Sequence, residues 1–146
     1  MHSRTAGLRR VEIDHVGQAY LEVLRDRGIR YFFGNAGTDF APLIDAFARF
    51  AAEGKEVPNP ILVPHEFAAI SMAHGYTMVT RQPQVVMVHV NVGTSNALTG
   101  VINASRARIP MIFTAGRTPI SEGELRGGRN LHIHWAQESF DQASML

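Results

Sequence analysis

The run Val85–Val88 constrains the fold of this chain more than any other segment. All four residues are apolar, Pro83 breaks the chain just before them, and the polar His89 follows. A continuous apolar run of this length is typical of a strand that a parallel sheet buries on both faces. The segment therefore favours a layered protein that is built around a parallel sheet.

Three more short apolar runs, at residues 31–33, 61–63 and 111–113, alternate with segments of helical periodicity. This alternation predicts a parallel sheet that is flanked by helices and connected by right-handed crossovers. The chain has 146 residues, which is enough for one domain with a substantial core. The predicted fold class is α/β, with a layered parallel sheet.

Helix boundaries can also be predicted. One face of the first helix is formed by Val16, Tyr20, Val23, Leu24 and Arg27. Gly28 is the predicted stop of this helix. A later helix is predicted from Glu66 to about Thr80, and Gly93 is predicted to begin a turn before a helix that runs to about Arg106.

The loops that follow the predicted strands carry the most unusual residues of the chain. They comprise residues 34–37, the pair His65 and Glu66, and residues 89–96. In parallel sheets, ligands bind beyond the carboxyl ends of the strands. We therefore expect the three loops to lie along one edge of the sheet, with Glu66 beside the glycine-containing turns.

Glu66 opens a strongly apolar helix, and its role can be interpreted in two ways. An acidic residue in the first turn complements the helix macrodipole, and in that case the side chain faces water. Alternatively the carboxylate is buried and can hold or exchange a proton close to neutral pH. The helix alone leaves both interpretations open.

Three stretches of the chain resemble one family in their order and spacing. The first has a glutamate, small residues and a Gly-Tyr pair, and it contains His65, Glu66, Ala69, Ala73, Gly75 and Tyr76. The second has a glycine and asparagines, and it contains Gly93, Thr94, Ser95, Asn96, Ala97, Gly100, Asn103 and Ala104. The third is similar to a Gly-x-Pro-Gly loop and consists of Gly34, Asn35, Ala36 and Gly37. Together they resemble the N-terminal, pyrimidine-binding domain of thiamine diphosphate enzymes in the acetolactate synthase, benzoylformate decarboxylase and pyruvate decarboxylase family.

The resemblance implies a role in binding thiamine diphosphate. In the family, a buried glutamate hydrogen-bonds the aminopyrimidine ring and favours its imino tautomer, and Glu66 occupies the matching position. The residues that the resemblance implies for cofactor binding are Asn35, Ala36, Gly37, Glu66, Gly93 and Asn96. Magnesium is held in the family by a Gly-Asp-Gly motif, which this sequence lacks. Magnesium is therefore expected to bind to a domain absent from this chain, and no metal ligand is expected here.

His89, Thr38 and Gln137 are candidate substrate contacts. In the benzoylformate decarboxylase branch a histidine at the matching place serves as an acid or base, although His89 could also be a strand-end histidine satisfied by backbone groups. Thr38 could contact a substrate carboxylate or carbonyl, or it could cap the helix at Phe40. Asn91 departs from the glycine-proline turn of the synthases, so the resemblance does not identify the substrate.

The resemblance also divides the chain. Residues 1–10 are expected to form an N-terminal extension, residues 11–130 the pyrimidine-binding domain, and residues 131–146 the start of a connection to a central domain. His132 and His134 are interpreted as solvated loop histidines rather than as a metal site, because no third ligand lies at a telling spacing.

Composition and charge exclude several classes of function. Hydrophobic residues make up 45% of the chain, charged residues 18%, and the net charge is +1, so nothing favours binding to nucleic acid or to an anionic membrane. No cysteine is available for a disulfide or a thiolate metal site. The first ten residues lack the apolar core of a secretory signal, and no apolar run is long enough to cross a bilayer. The expected location is the cytoplasm.

Three functional hypotheses follow. The leading one is the N-terminal domain of a thiamine diphosphate-dependent lyase or carboligase that acts on 2-keto acids, with Glu66 activating the cofactor. Its site would be completed by the diphosphate-binding domain of a neighbouring subunit in a homodimer or homotetramer, so residues 1–146 alone are expected to be inactive. The second hypothesis is a natural small subunit of a split enzyme of this kind. The third is a noncatalytic, flavodoxin-like binding domain.

Overall fold

The computed structural model describes residues 10–117 and 141–146 of the chain. Within these ranges the helices and strands alternate in the order α1 (Val16–Asp26), β1 (Tyr31–Gly34), α2 (Ala41–Ala52), β2 (Asn59–Leu62), α3 (Glu66–Thr80), β3 (Val85–Val88), α4 (Val90–Arg106) and β4 (Ile112–Ala115). Short 3-10 helices lie at Thr38–Phe40 and Ala143–Met145. The strands lie within two residues of their predicted bounds, and α3 has the predicted length.

The four strands form one parallel sheet in the order β2-β1-β3-β4. Phe33 of β1 lies opposite both Ile61 of β2 and Val86 of β3. On the other side of β3, Val86 lies opposite Phe113 of β4. The predicted α/β class with a layered parallel sheet is confirmed.

Hydrophobic clusters cover both faces of this sheet. One cluster joins α1 and α2 to the sheet and includes Leu21, Leu24, Phe32, Phe40, Leu43, Phe50 and Val85. The other joins α3 and α4 to the opposite face and includes Phe33, Ile70, Ala73, Val86, Val88 and Ala97. Successive residues of β3 belong to different clusters, so this strand is buried on both faces, as its apolar run predicted.

Helix α1 and its stop are confirmed, but its predicted core face is partly wrong. Gly28 follows the helix with a φ of 74°, which glycine adopts without steric cost. Val16 and Val23 are 81% and 49% exposed, whereas Leu21 and Gln18 are buried. Gln18 is buried because its side chain completes a capping box at the start of the helix. The buried face of α1 thus includes the polar Gln18 and leaves out Val16 and Val23.

The predicted turn at Gly93 is wrong, since this residue lies inside the first turn of α4. The helix begins at Val90, and the N–H of Gly93 donates to the carbonyl oxygen of His89 at 2.8 Å. A Cβ at Gly93 would lie 2.8 Å from the Cβ of Val88. The glycine therefore lets the start of α4 pack closely on the end of β3.

In the part of the chain that the structure describes, no helix has both the length and the apolar character needed to cross a membrane.

Candidate active site

Glu66 lies in the first turn of α3, at the carboxyl edge of the sheet, and it is only 7% exposed. Two asparagine side chains bind its carboxylate. The Nδ2 of Asn35 donates to Oε1 at 2.9 Å, and the Nδ2 of Asn96 donates to Oε2 at 3.1 Å. The interpretation in which Glu66 faces water is therefore wrong, although the helix dipole still favours a carboxylate in this turn.

Three separate elements bring this cluster together. Asn35 follows β1, and its N–H donates to the carbonyl oxygen of Met87 in β3 at 3.3 Å. Glu66 follows β2, where the His65 side chain caps α3. Asn96 comes from α4, which follows β3. The prediction that the three loops lie along one edge of the sheet is confirmed.

A second polar pair lies at the same edge. The Nδ1 of His89 and the Oδ1 of Asp39 are 2.7 Å apart, and the two side chains are 22% and 12% exposed. A carboxylate rather than a backbone group therefore satisfies this ring nitrogen. Asp39 is not among the predicted site residues, although it is an acidic residue two positions after the loop that is expected beside His89.

Two glycines pack directly against this pair. A Cβ at Gly37 would lie 2.1 Å from the Nδ1 of His89, and a Cβ at Gly116 would lie 1.7 Å from the Oδ2 of Asp39. Both distances are far below the usual contact between heavy atoms, which is about 3.5–4.0 Å. A larger residue at either position would displace the pair. The role of Gly37 in cofactor binding stays a prediction.

The backbone is strained directly after His89. Val90 has a φ of 40° and is buried. A β-branched residue rarely adopts this conformation, and such strain costs about 1–3 kcal/mol and is concentrated at functional sites. The strained junction sets the direction in which α4 leaves β3.

The Glu66 cluster and the Asp39–His89 pair lie at a topological switch point of the sheet. The chain leaves β1 towards β2 on one side and later adds β3 on the other side. This strand order is that of flavodoxin-like sheets, in which ligands bind outside the carboxyl ends of β1 and β3. Asn35 and Gly37 follow β1 and His89 follows β3, so these residues border the expected crevice.

The remaining predicted site residues are placed as follows. Thr38 is exposed at the start of the first 3-10 helix, and the preceding glycine, not Thr38, holds the N-cap position. Ala36 is exposed beside it. Gln137, His132 and His134 lie outside the described residues. Among the residues that are described, no three His, Cys, Asp or Glu side chains are grouped so that they could hold a metal ion.

Comparison with known proteins decides the family. A family model described as "Thiamine pyrophosphate enzyme, N-terminal TPP binding domain" matches residues 14–145. The chain belongs to the thiamine pyrophosphate enzyme family. The predicted resemblance is thus confirmed, and the residues of the switch-point site lie within the part of the chain that this family model matches.

The chain is also similar to individual thiamine pyrophosphate enzymes. The chain is 36% identical to the acetolactate synthase large subunit of Haemophilus influenzae over 97 residues, which cover 66% of this chain and 16% of the relative. It is 32% identical to benzoylformate decarboxylase of Pseudomonas aeruginosa over 102 residues, which cover 70% of this chain and 18% of the relative. A solved structure of the thiamine diphosphate-dependent 4-hydroxybenzoylformate decarboxylase of Rhodococcus jostii RHA1 matches with 31% identity and a TM-score of 0.62, over 71% of this chain and 18% of that one. The matched part spans less than a fifth of each relative.

Proposed function

We propose that this domain holds the aminopyrimidine ring of thiamine diphosphate in a lyase or carboligase that acts on 2-keto acids. The observation that carries the proposal is the position of Glu66, which is buried at the switch point with both carboxylate oxygens bound by asparagine side chains. This position of Glu66 is compatible both with a domain of one long chain and with a separately encoded subunit.

The residues at the site fit the pyrimidine part of the cofactor. An ionised carboxylate offers about four acceptor positions. Asn35 and Asn96 use one position on each oxygen, so Glu66 retains the capacity to bind an N–H group of a heteroaromatic ring. When bound, thiamine diphosphate supplies a nucleophilic carbon and afterwards an electron sink for the carbanion that the substrate leaves.

Glu66 would hold or take up a proton at a carboxylate oxygen. One asparagine amide comes from the loop after β1 and the other from α4, and together they fix the orientation of the carboxylate. Asn35 and Asn96 would thus act on the cofactor through Glu66. Gly93 supports this arrangement, because it allows α4, which carries Asn96, to begin close to β3.

His89 and Thr38 would contact the 2-keto acid. An imidazole can donate or accept a proton at neutral pH, and Thr38 is an exposed residue with a hydroxyl group at the same edge. The Pseudomonas relative is named for decarboxylation of benzoylformate, a 2-keto acid, and the Haemophilus relative for acetolactate synthesis. These two relatives support the substrate class rather than one substrate. The contact of Gln137 with the substrate stays a prediction.

The rest of the cofactor site is proposed to lie outside this domain. Magnesium and the diphosphate would be bound by the diphosphate-binding domain of a neighbouring subunit, which requires a homodimer or homotetramer. The domain bounds at residues 11–130 and the cytoplasmic location also stay predictions.

The role of Glu66 is tested in the intact protein by titration calorimetry with thiamine diphosphate and magnesium, and by turnover of benzoylformate and pyruvate. Glu66→Gln keeps the shape of the side chain but cannot exchange a proton. We expect turnover to fall by about 100-fold or more while magnesium-dependent binding persists. Glu53→Gln is the control, because Glu53 pairs with Lys55 on the surface. Full turnover of Glu66→Gln would contradict the proposal.

A further inference from the structure

We propose that Asp39 is a positioning residue that acts through His89. Asp39 accepts the N–H at Nδ1 of the imidazole, and this leaves Nε2 as the nitrogen that exchanges a proton with the substrate. The inference rests on the proposed function, since it assigns His89 to the reacting centre.

The geometry of the pair supports this assignment. Asp39 and His89 are 50 positions apart in the chain, yet Oδ1 and Nδ1 are 2.7 Å apart. The two side chains are 12% and 22% exposed, so water screens the contact less than it would at the surface. The pair also joins the loop after β1 to the end of β3, which are the two borders of the switch-point crevice.

The chemistry of a carboxylate decides which ring nitrogen carries the hydrogen. An ionised carboxylate can only accept hydrogen bonds, so the N–H of a neutral His89 must lie on Nδ1. The lone pair is then on Nε2, which forms no hydrogen bond with the residues that the structure describes. Nε2 can take up a proton and return it while the proton at Nδ1 stays in place.

The surroundings of Asp39 indicate that its contact with His89 does more than link two segments of the chain. Oδ2 of Asp39 is buried and has no hydrogen-bond partner among the described residues. A buried polar atom without a partner is costly, so the carboxylate depends on its contact with His89. Gly37 lies against the imidazole ring of His89, and Gly116 lies against Oδ2 of Asp39. Neither position has room for a side chain.

A double-mutant cycle in the intact protein tests the proposal. The variants are Asp39→Asn, His89→Ala and the combination of both, with thiamine diphosphate, magnesium and benzoylformate as the probe substrate. In metal sites, loss of a carboxylate that orients a histidine typically lowers metal affinity or activity by about 10- to 100-fold. We expect a loss of this size in kcat for Asp39→Asn with KM little changed, and no further loss when His89 is already alanine. Losses that multiply in the double variant would mean that Asp39 has a merely structural role, and would overturn the proposal.

The ¹⁵N chemical shifts of the neutral His89 ring give a second test, and its decisive measurement is made on the native protein. We expect the hydrogen on Nδ1 in the native protein and a mixture of tautomers in Asp39→Asn. A native ring with its hydrogen on Nε2 would overturn the proposal.

The chain offers a matched control in a second carboxylate–imidazole pair. The Nε2 of His15 lies 3.0 Å from the Oδ2 of Asp45, whose side chain is 49% exposed. Asp45→Asn is expected to leave kcat unchanged. Normal turnover in Asp39→Asn with lost turnover in Glu66→Gln would overturn only the role of Asp39, whereas normal turnover in Glu66→Gln contradicts the proposed function itself.

Discussion

The packing of α4 against α3 depends on the absence of a side chain at Gly100. This residue is buried within α4, and a Cβ there would lie 2.6 Å from the Cγ2 and 2.8 Å from the Cβ of Ile70 in α3. Ile70 is fully buried, and the atoms concerned are close to its backbone. Rotation of the side-chain end cannot relieve the contact, so Gly100→Ala must push the two helices apart.

Two effects of opposite sign determine the result of Gly100→Ala. Alanine stabilises a helix interior by about 1 kcal/mol relative to glycine. Overpacking of a well-packed core costs about 1–3 kcal/mol, and a contact as short as this one belongs near the upper end. We therefore expect the free energy of unfolding to fall by about 1–2 kcal/mol.

Gly75 provides the matched control, since it lies on the exposed side of α3 and a Cβ there would meet no atom within 4 Å. Gly75→Ala should raise the free energy of unfolding by about 0.5–1 kcal/mol. Urea unfolding of both variants measures the two effects, provided that the m-values agree. If Gly100→Ala stabilises the protein as much as Gly75→Ala does, the close contact between α3 and α4 is refuted, and with it the position of Asn96 beside Glu66.

Two further predictions concern buried polar side chains. Gln84 is fully buried and forms four hydrogen bonds with main-chain groups at the start of β1 and directly before β3. Gln84→Leu should lower the free energy of unfolding by about 2–4 kcal/mol, at about 1 kcal/mol per bond; urea unfolding measures this, and an unchanged midpoint contradicts it. Burial raises the pKa of Tyr20 above its ordinary value of 10.0, and the hydrogen bond with Thr114 lowers it by less. As the pH rises, the unfolded chain therefore releases the phenolic proton of Tyr20 before the folded protein does. The contribution of protonated Tyr20 to the free energy of unfolding is complete below about pH 10 and is lost as the pH rises through the folded-state pKa. Tyr20→Phe should reduce the alkaline fall in stability, and an unchanged fall in urea unfolding at increasing pH contradicts this assignment.

The convergence of Asn35, Glu66 and Asn96 could be predicted at the level of loops. Every strand of a parallel sheet places its carboxyl end at the same edge, so loops that follow the strands must be neighbours. The hydrogen bonds between these three side chains could not be predicted, because they depend on the distance at which α3 and α4 pack.

The errors in the sequence analysis have a common cause. Gly93 was expected in a turn because glycine is typical of turns, whereas its role is to give clearance to Val88. Val16 was expected on the core face of α1, but a capping box there buries Gln18 instead. The role of Asp39 could not be predicted, since nothing near it in the chain indicates a histidine partner. Hydrophobic periodicity describes none of these contacts: the capping box and the contact of Gly93 with Val88 are local, and the Asp39–His89 pair joins residues 50 positions apart.

The sequence by itself determined the alternation of strands and helices, the boundaries of α3, the family, and the edge of the sheet at which the polar loops lie. These features follow from short-range patterns of apolar residues and from motifs within single loops. Only the tertiary structure decided that β1 lies between β2 and β3. This strand order sets Asp39 against His89 and joins both asparagines to Glu66. The physical reason is that contacts between residues 30 to 50 positions apart depend on how whole layers pack, and no local segment carries that information.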